Sequence, residues 1–222
     1  MVAERVKKYL PIVSAEIERE GVPFPPALVL SVIHAESRGK AGEVNPNSGA
    51  SGLMQIMPIA LRDYNQRNET DLKMSAMKGT DDQSIVLQIR VGIDLLGWFW
   101  KRAYGYLKPR IGSPTLDDLA QIAQLFYVAG PTGARKFLDR LEQPTFAQAA
   151  QRFPDWSGIL YVKKVWRLTG EQSPVWDMDA VDRWVSGETV PEKPPLIAKT
   201  HKNGLLLAIL VVAVASSYLK KK

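Results

Sequence analysis

From Asp82 to Leu107 the chain runs for a long stretch without proline. Ile85, Ile89, Ile93, Leu96 and Trp100 recur there at helical spacing. Such a segment predicts one long helix with an apolar stripe, and the rest of the chain must cover that stripe. The other segments repeat the pattern. A helix is expected from Val2 to Glu20, closed by Gly21. A second starts at Pro25-Pro26, runs to about Arg38 and stops at Gly39. Asn45 to Gly52 reads as a loop, Leu53 to Met57 is apolar, and Pro58 opens a further helix. Helices are also expected at Leu116–Tyr127, Thr132–Leu141, Thr145–Arg152 and Ser157–Thr169, with Thr132 and Thr145 as N-caps. Alternation of period two is nearly absent, so the fold class is mainly α.

Charge sets a second bound. The formal net charge is +6, but residues 187–222 hold six Lys and two Glu. The first 186 residues therefore carry 23 basic and 21 acidic groups, a net of +2. The basicity belongs to the tail, as expected beside a membrane, and no nucleic-acid groove is indicated. With no cysteine and only two histidines, His34 and His201, neither a Cys-based metal site nor a Ser-His-Asp triad is expected. No cofactor is expected.

Four regions follow: an N-terminal helix over 1–21, a helical domain over 22–170, a linker over 171–203 and an apolar segment over 204–219. The linker reading rests on the Pro- and Lys-rich run from 187 to 203, and Trp176 and Trp184 precede that run among acidic residues. Residues 204–219 are uncharged and mostly apolar, with Lys on both sides. As a helix they span roughly 24 Å, against about 30 Å of bilayer core. Snorkelling lysines make up the difference, so a C-terminal transmembrane anchor is expected. A buried terminal helix is the other reading of this segment.

The chemistry concentrates around Glu36. Val29, Val32 and Ile33 precede it at i−7, i−4 and i−3, so its carboxyl leaves the helix from the apolar face. Desolvation raises a carboxyl pKa, and a carboxyl protonated near neutrality serves as a general acid. A helix-end glutamate reaching solvent is the alternative at that position. Other acids weigh less. Glu16, Glu18 and Glu20 read as a solvated face, and Asp81 and Asp82 as an N-cap and first-turn charge. Glu43 and Asp63 have no support as a second catalytic carboxyl. His34 lies about 200° around the helix from Glu36 and reads as structural. Trp98 and Trp100 suit either sugar stacking or core packing.

Three further stretches carry a resemblance. Glu36-Ser37-Arg38 is followed by Gly49-Ala-Ser-Gly-Leu-Met-Gln-Ile-Met-Pro58, and later by Phe126-Tyr-Val-Ala-Gly-Pro131 and Tyr161-Val-Lys-Lys-Val165. Together they resemble the lytic transglycosylases with a lysozyme-like (goose-type, SLT) domain, over roughly Val22 to Gly170. The resemblance implies that Glu36 is the catalytic acid/base. It implies that Gln55, Met57, Tyr127 and Tyr161 contact substrate, with Ser37 there or supporting the helix end. Two positions depart from the family pattern: Val128 stands where an Asn is usual, and Ser157 and Ile159 where Glu and Arg are frequent.

The implied reaction is cleavage of the MurNAc–GlcNAc β-1,4 bond in peptidoglycan glycan strands, with 1,6-anhydro-muramyl ends as products. A goose-type muramidase that admits water, and a glycan-binding virion membrane protein without catalysis, remain alternatives. The chain opens without an apolar leader, and its one apolar span is C-terminal. That pairing is expected of a protein held in the membrane of a membrane-containing phage virion, beside other virion membrane proteins. Such a protein would act in the periplasm on the wall during genome entry.

Overall fold

The computed structural model describes residues 1–172 and 174–187. Among them are nine helices: α1 (Glu4–Lys7), α2 (Leu10–Glu20), α3 (Pro26–Ser37), α4 (Pro58–Asn68), α5 (Asp82–Ile111), α6 (Leu116–Leu138), α7 (Phe146–Arg152), α8 (Ser157–Gly170) and α9 (Met178–Ser186). Extended pairing among the described residues is limited to the isolated bridges Val44–Ser51 and Ser51–Ile56.

Helix α5 is the pillar. It packs against α2, α4, α6 and α9, while α8 packs against α3 and α6. Ile89, Ile93, Leu96 and Trp100 on the expected stripe are fully buried, and so are Val91 and Ala103. Asp81 caps it by accepting from Ser84 N at 2.9 Å. The helix outruns its expected end at Leu107 and carries Pro109 in its last turn, where the lost N–H removes a single backbone bond.

The chain departs from the expected boundaries where local chemistry competes with periodicity. The first helix is two pieces, because Pro11 has no N–H to continue the ladder from α1. Thr132 is not an N-cap. The α6 helix breaks at Gly130, with φ 69° and ψ 155°, and resumes at Pro131. Its start is instead fixed by a capping box between Thr115 and Asp118. Glu16 is no solvated residue either: it is 6% exposed. It accepts from Arg90 Nε at 2.8 Å and from the same guanidinium's terminal nitrogen at 3.1 Å.

The linker expected from residue 171 holds α9 in its first part. Asp177 caps that helix, accepting from Ala180 N at 2.9 Å, and Val181 and Val185 are buried. Trp176 stacks on Trp100 with centroids 5.7 Å apart, and Trp184 meets Phe24 edge-on at 5.5 Å. Val181, Trp184 and Val185 form an i, i+3, i+4 stripe that the surrounding acids disguise. The rest of the linker and the 204–219 segment lie outside the described residues. Among those described, no helix is long and apolar enough to cross a membrane.

Candidate active site

Glu36 sits in the last turn of α3. Pro26 starts that helix, and Leu28, Val29, Leu30, Val32 and Ile33 bury it. The chain leaves it through two left-handed residues, Arg38 at φ 55° and Gly39 at φ 81°. The carboxyl of Glu36 is half-buried, and desolvation pushes its pKa up to about 7. The negative end of the α3 dipole works in the same direction. Two groups oppose the rise. Tyr161 Oη donates to Glu36 Oε1 at 2.6 Å, and the Lys164 ammonium lies near enough to favour the charged form. Lys164 Nζ also donates to Ala35 O at 3.2 Å, next to Glu36.

The apolar turn after the loop is bound on three sides. Ser51 and Ile56 exchange backbone bonds of 3.1 and 2.9 Å, and Gly52 N donates to Glu43 O at 2.8 Å. Ser37 Oγ, at the end of α3, donates to Leu53 O at 2.8 Å. Tyr127 Oη, on α6, donates to Met54 O at 2.6 Å. Gln88, fully buried on α5, accepts from Leu53 N at 2.9 Å and donates to Gly79 O at 2.8 Å. Gly52 is required twice over. Its φ is +81°, and a Cβ there would lie 2.6 Å from Met77 O and 2.7 Å from the Gln88 amide.

The residues expected at the site fall into two sets. Glu36, Tyr161 and Tyr127 form one cluster. Both tyrosine hydroxyls are pushed well above their usual pKa by burial first and by the Glu36 charge second, so they stay protonated as hydrogen-bond donors. Gln55 and Met57 flank the bound turn. Gln55 takes a left-handed φ of 48°, and its Nε2 donates to Gly52 O at 3.0 Å and Glu43 O at 3.3 Å. Met57 is 39% exposed. Ser37 departs from the substrate-contact reading. At 4% exposure, with its hydroxyl spent on Leu53 O and Ile33 O, it joins α3 to the turn.

Sequence reasoning missed Gln88 and Lys164. A glutamine inside an apolar helical stripe was the available signal for Gln88, because a buried amide has to be satisfied. Of the departures, Val128 is 40% exposed beside Tyr127, and Ile159 is buried. No second carboxylate is among the groups that act on Glu36 in the described residues, and Glu43 is engaged with Lys40 at 3.5 Å.

Comparison with known proteins yields one family: residues 14–115 match the model described as Transglycosylase SLT domain. The matched stretch contains Glu36, the 51–57 turn and Gln88, and ends before α6. No curated protein matches the chain.

Proposed function

Starting from the match of residues 14–115 to the transglycosylase SLT domain model, we propose that the chain is a peptidoglycan lytic transglycosylase in which Glu36 is both acid and base. The observation that carries this reading is the Glu36 carboxyl accepting from Tyr161 at 2.6 Å with no second carboxylate acting on it among the described residues, and burial pushes its pKa up to about 7. Hydrolases of both usual kinds need a second carboxylate across the scissile bond. A transglycosylase needs one group that gives a proton and takes one back.

Protonated Glu36 gives its proton to the glycosidic oxygen linking MurNAc to GlcNAc, and the C1–O bond breaks. The oxocarbenium-like muramyl centre is supported by the substrate's own N-acetyl oxygen. Glu36, now a carboxylate held by Tyr161, takes the proton of the muramyl 6-hydroxyl. That oxygen closes on C1, leaving a 1,6-anhydro end and a free GlcNAc 4-hydroxyl. No water is consumed, and Glu36 ends protonated as it began. A pKa close to the working pH suits both halves of the cycle.

The test is mass analysis of products released from sacculi by wild type and Glu36→Gln. Anhydro ends are about 18 Da lighter than hydrated ones, and the variant should lose at least ~10²-fold in rate. Hydrated ends would make the protein a muramidase. Equal activity in the variant would remove Glu36 from the mechanism.

The reading extends to place. We propose that residues 204–219 anchor the protein in a membrane, and that it opens the wall locally for a phage whose virion contains one. The uncharged span bracketed by lysines supports the anchor. Flotation of the full chain with vesicles and its detection in purified particles test the two parts; recovery from cytosol alone would reject both.

A further inference from the structure

Helix α8 sends two donors to the last turn of α3. Tyr161 and Lys164 stand three residues apart on α8, and so share one of its faces. Tyr161 Oη donates to the Glu36 carboxyl at 2.6 Å, and Lys164 Nζ donates to the Ala35 carbonyl at 3.2 Å. The two acceptors belong to adjacent residues.

The Ala35 carbonyl is open to this bond because of the way α3 ends. In a continuing helix it would accept from Gly39 N. The chain turns left-handed at Arg38, and Gly39 N donates to Ser37 Oγ at 3.1 Å instead. Arg38 N goes to His34 O at 3.2 Å. A carbonyl left over at a helix C-terminus attracts a cation, through its lone pairs and through the helix dipole. Lys164 fills that place from an exposed position. Among the described residues no acid competes for it as an ion-pair partner.

The groups that face the Glu36 carboxyl are few. Tyr161 and Lys164 act on it from α8, and Tyr127 feels its charge from α6. The 51–57 turn contains no acidic or basic residue. Burial keeps both tyrosines protonated, so Lys164 supplies the charge in this set.

We propose that Lys164 is a positioning residue of the reaction: it caps the open end of α3 and stabilises the carboxylate that Glu36 becomes once its proton has gone to the glycosidic oxygen. This rests on the transglycosylase reading for its chemistry. Proton donation leaves a negative charge at the C-terminal end of a helix, where the dipole disfavours it. A cation bonded one residue away offsets that cost. The same cation makes Glu36 a weaker base for the returning proton, so Lys164 serves the bond-breaking half of the cycle.

Carbon-13 NMR titration of Glu36 in the full chain reads this effect without substrate. Lys164→Met should raise the Glu36 midpoint by about half a pH unit at low salt, as expected of one exposed charge nearby. Lys164→Gln, which keeps a donor but no charge, should raise it equally, and Lys164→Arg should restore the wild-type midpoint. Salt should narrow the gap between wild type and Lys164→Met as the screening length shortens. In turnover of sacculi, the alkaline limb of kcat/KM should move up with the midpoint. The rate should fall by about threefold where proton donation limits it. Lys163→Met, an exposed neighbour on the same helix, should change neither reading. An unmoved midpoint in Lys164→Met overturns the proposal, as does a midpoint that Lys164→Gln leaves in place or that Lys164→Arg fails to restore. Circular dichroism melting shows that each variant is folded. The titration involves no turnover, so a muramidase outcome in the product analysis leaves this result intact.

Discussion

The turn at 51–57 and the helical wall of α6 and α8 flank the same carboxyl but are held in different ways. The turn is fastened by buried polar bonds from Ser37, Gln88 and Tyr127, and it needs left-handed backbone at Gly52 and Gln55. The wall is built by apolar packing of Phe126, Ile159, Val162 and Val165, and reaches the site with two tyrosine hydroxyls. A polar, strained element tolerates little change, since each orphaned buried group costs its full desolvation. A packed helix wall accepts exchange at its exposed positions. Of the three positions that depart from the resemblance, Val128 and Ser157 are exposed on the wall, while Ile159 is buried in it.

Gly52→Ala should break the turn most severely. The added Cβ meets Met77 O at 2.6 Å in a left-handed backbone. The expected loss is about 4 kcal/mol from strain and overpacking together, read as a drop of roughly 8–16 °C in Tm. A loss below about 1 kcal/mol would show the turn to be soft. Gln88→Leu should follow at about 3 kcal/mol, because Leu53 N and Gly79 O lose their partner. Urea denaturation measures it, and a neutral result would mean that the turn holds without α5.

On the wall side, Tyr161→Phe should leave stability within about 1 kcal/mol and change the chemistry instead. The hydroxyl favours the Glu36 carboxylate, so its removal should raise the acid's pKa above its present value of about 7. The alkaline limb of kcat/KM then moves to higher pH, with kcat falling about tenfold as the base step loses its support. An unmoved limb would detach Tyr161 from Glu36. Val128→Asn should be the mildest. At 40% exposure it should shift stability by less than about 0.5 kcal/mol. A larger change would show the wall to be as constrained as the turn.

Glu36 also leaves a signature in stability. Its folded pKa lies above the ordinary value of 4.5, so the folded state binds more protons than the unfolded chain between pH 4.5 and about 7. That stability is present in acid and is lost as pH rises through this window. Glu36→Gln removes the cost of a buried carboxylate, so its advantage in Tm over wild type should grow from pH 4.5 to about 7 and then level off.

Much of this was legible from residue order alone. The α5 stripe, the proline starts of α3 and α4 and the glycine stop of α2 are local signals, and they landed within a few residues. The apolar approach to Glu36 foretold a desolvated acid because i−3, i−4 and i−7 fix the face. What escaped depended on partners far along the chain. Nothing beside Gln88 says that it will meet Leu53, nothing near Glu16 announces Arg90, and α9 hid its stripe among aspartates. Ser37 was readable as belonging to the site, but its role as a tie to Leu53 depends on the fold.

The central claim is a physical one about a single carboxyl, and it can be read without substrate. Carbon-13 NMR of glutamate side-chain carboxyls, with Glu36→Gln to assign the resonance, follows the titration of Glu36 directly. A midpoint near 7 is the predicted result. A midpoint near the ordinary 4.5 would mean an ionised, solvated side chain at working pH, and would contradict its part as the proton donor.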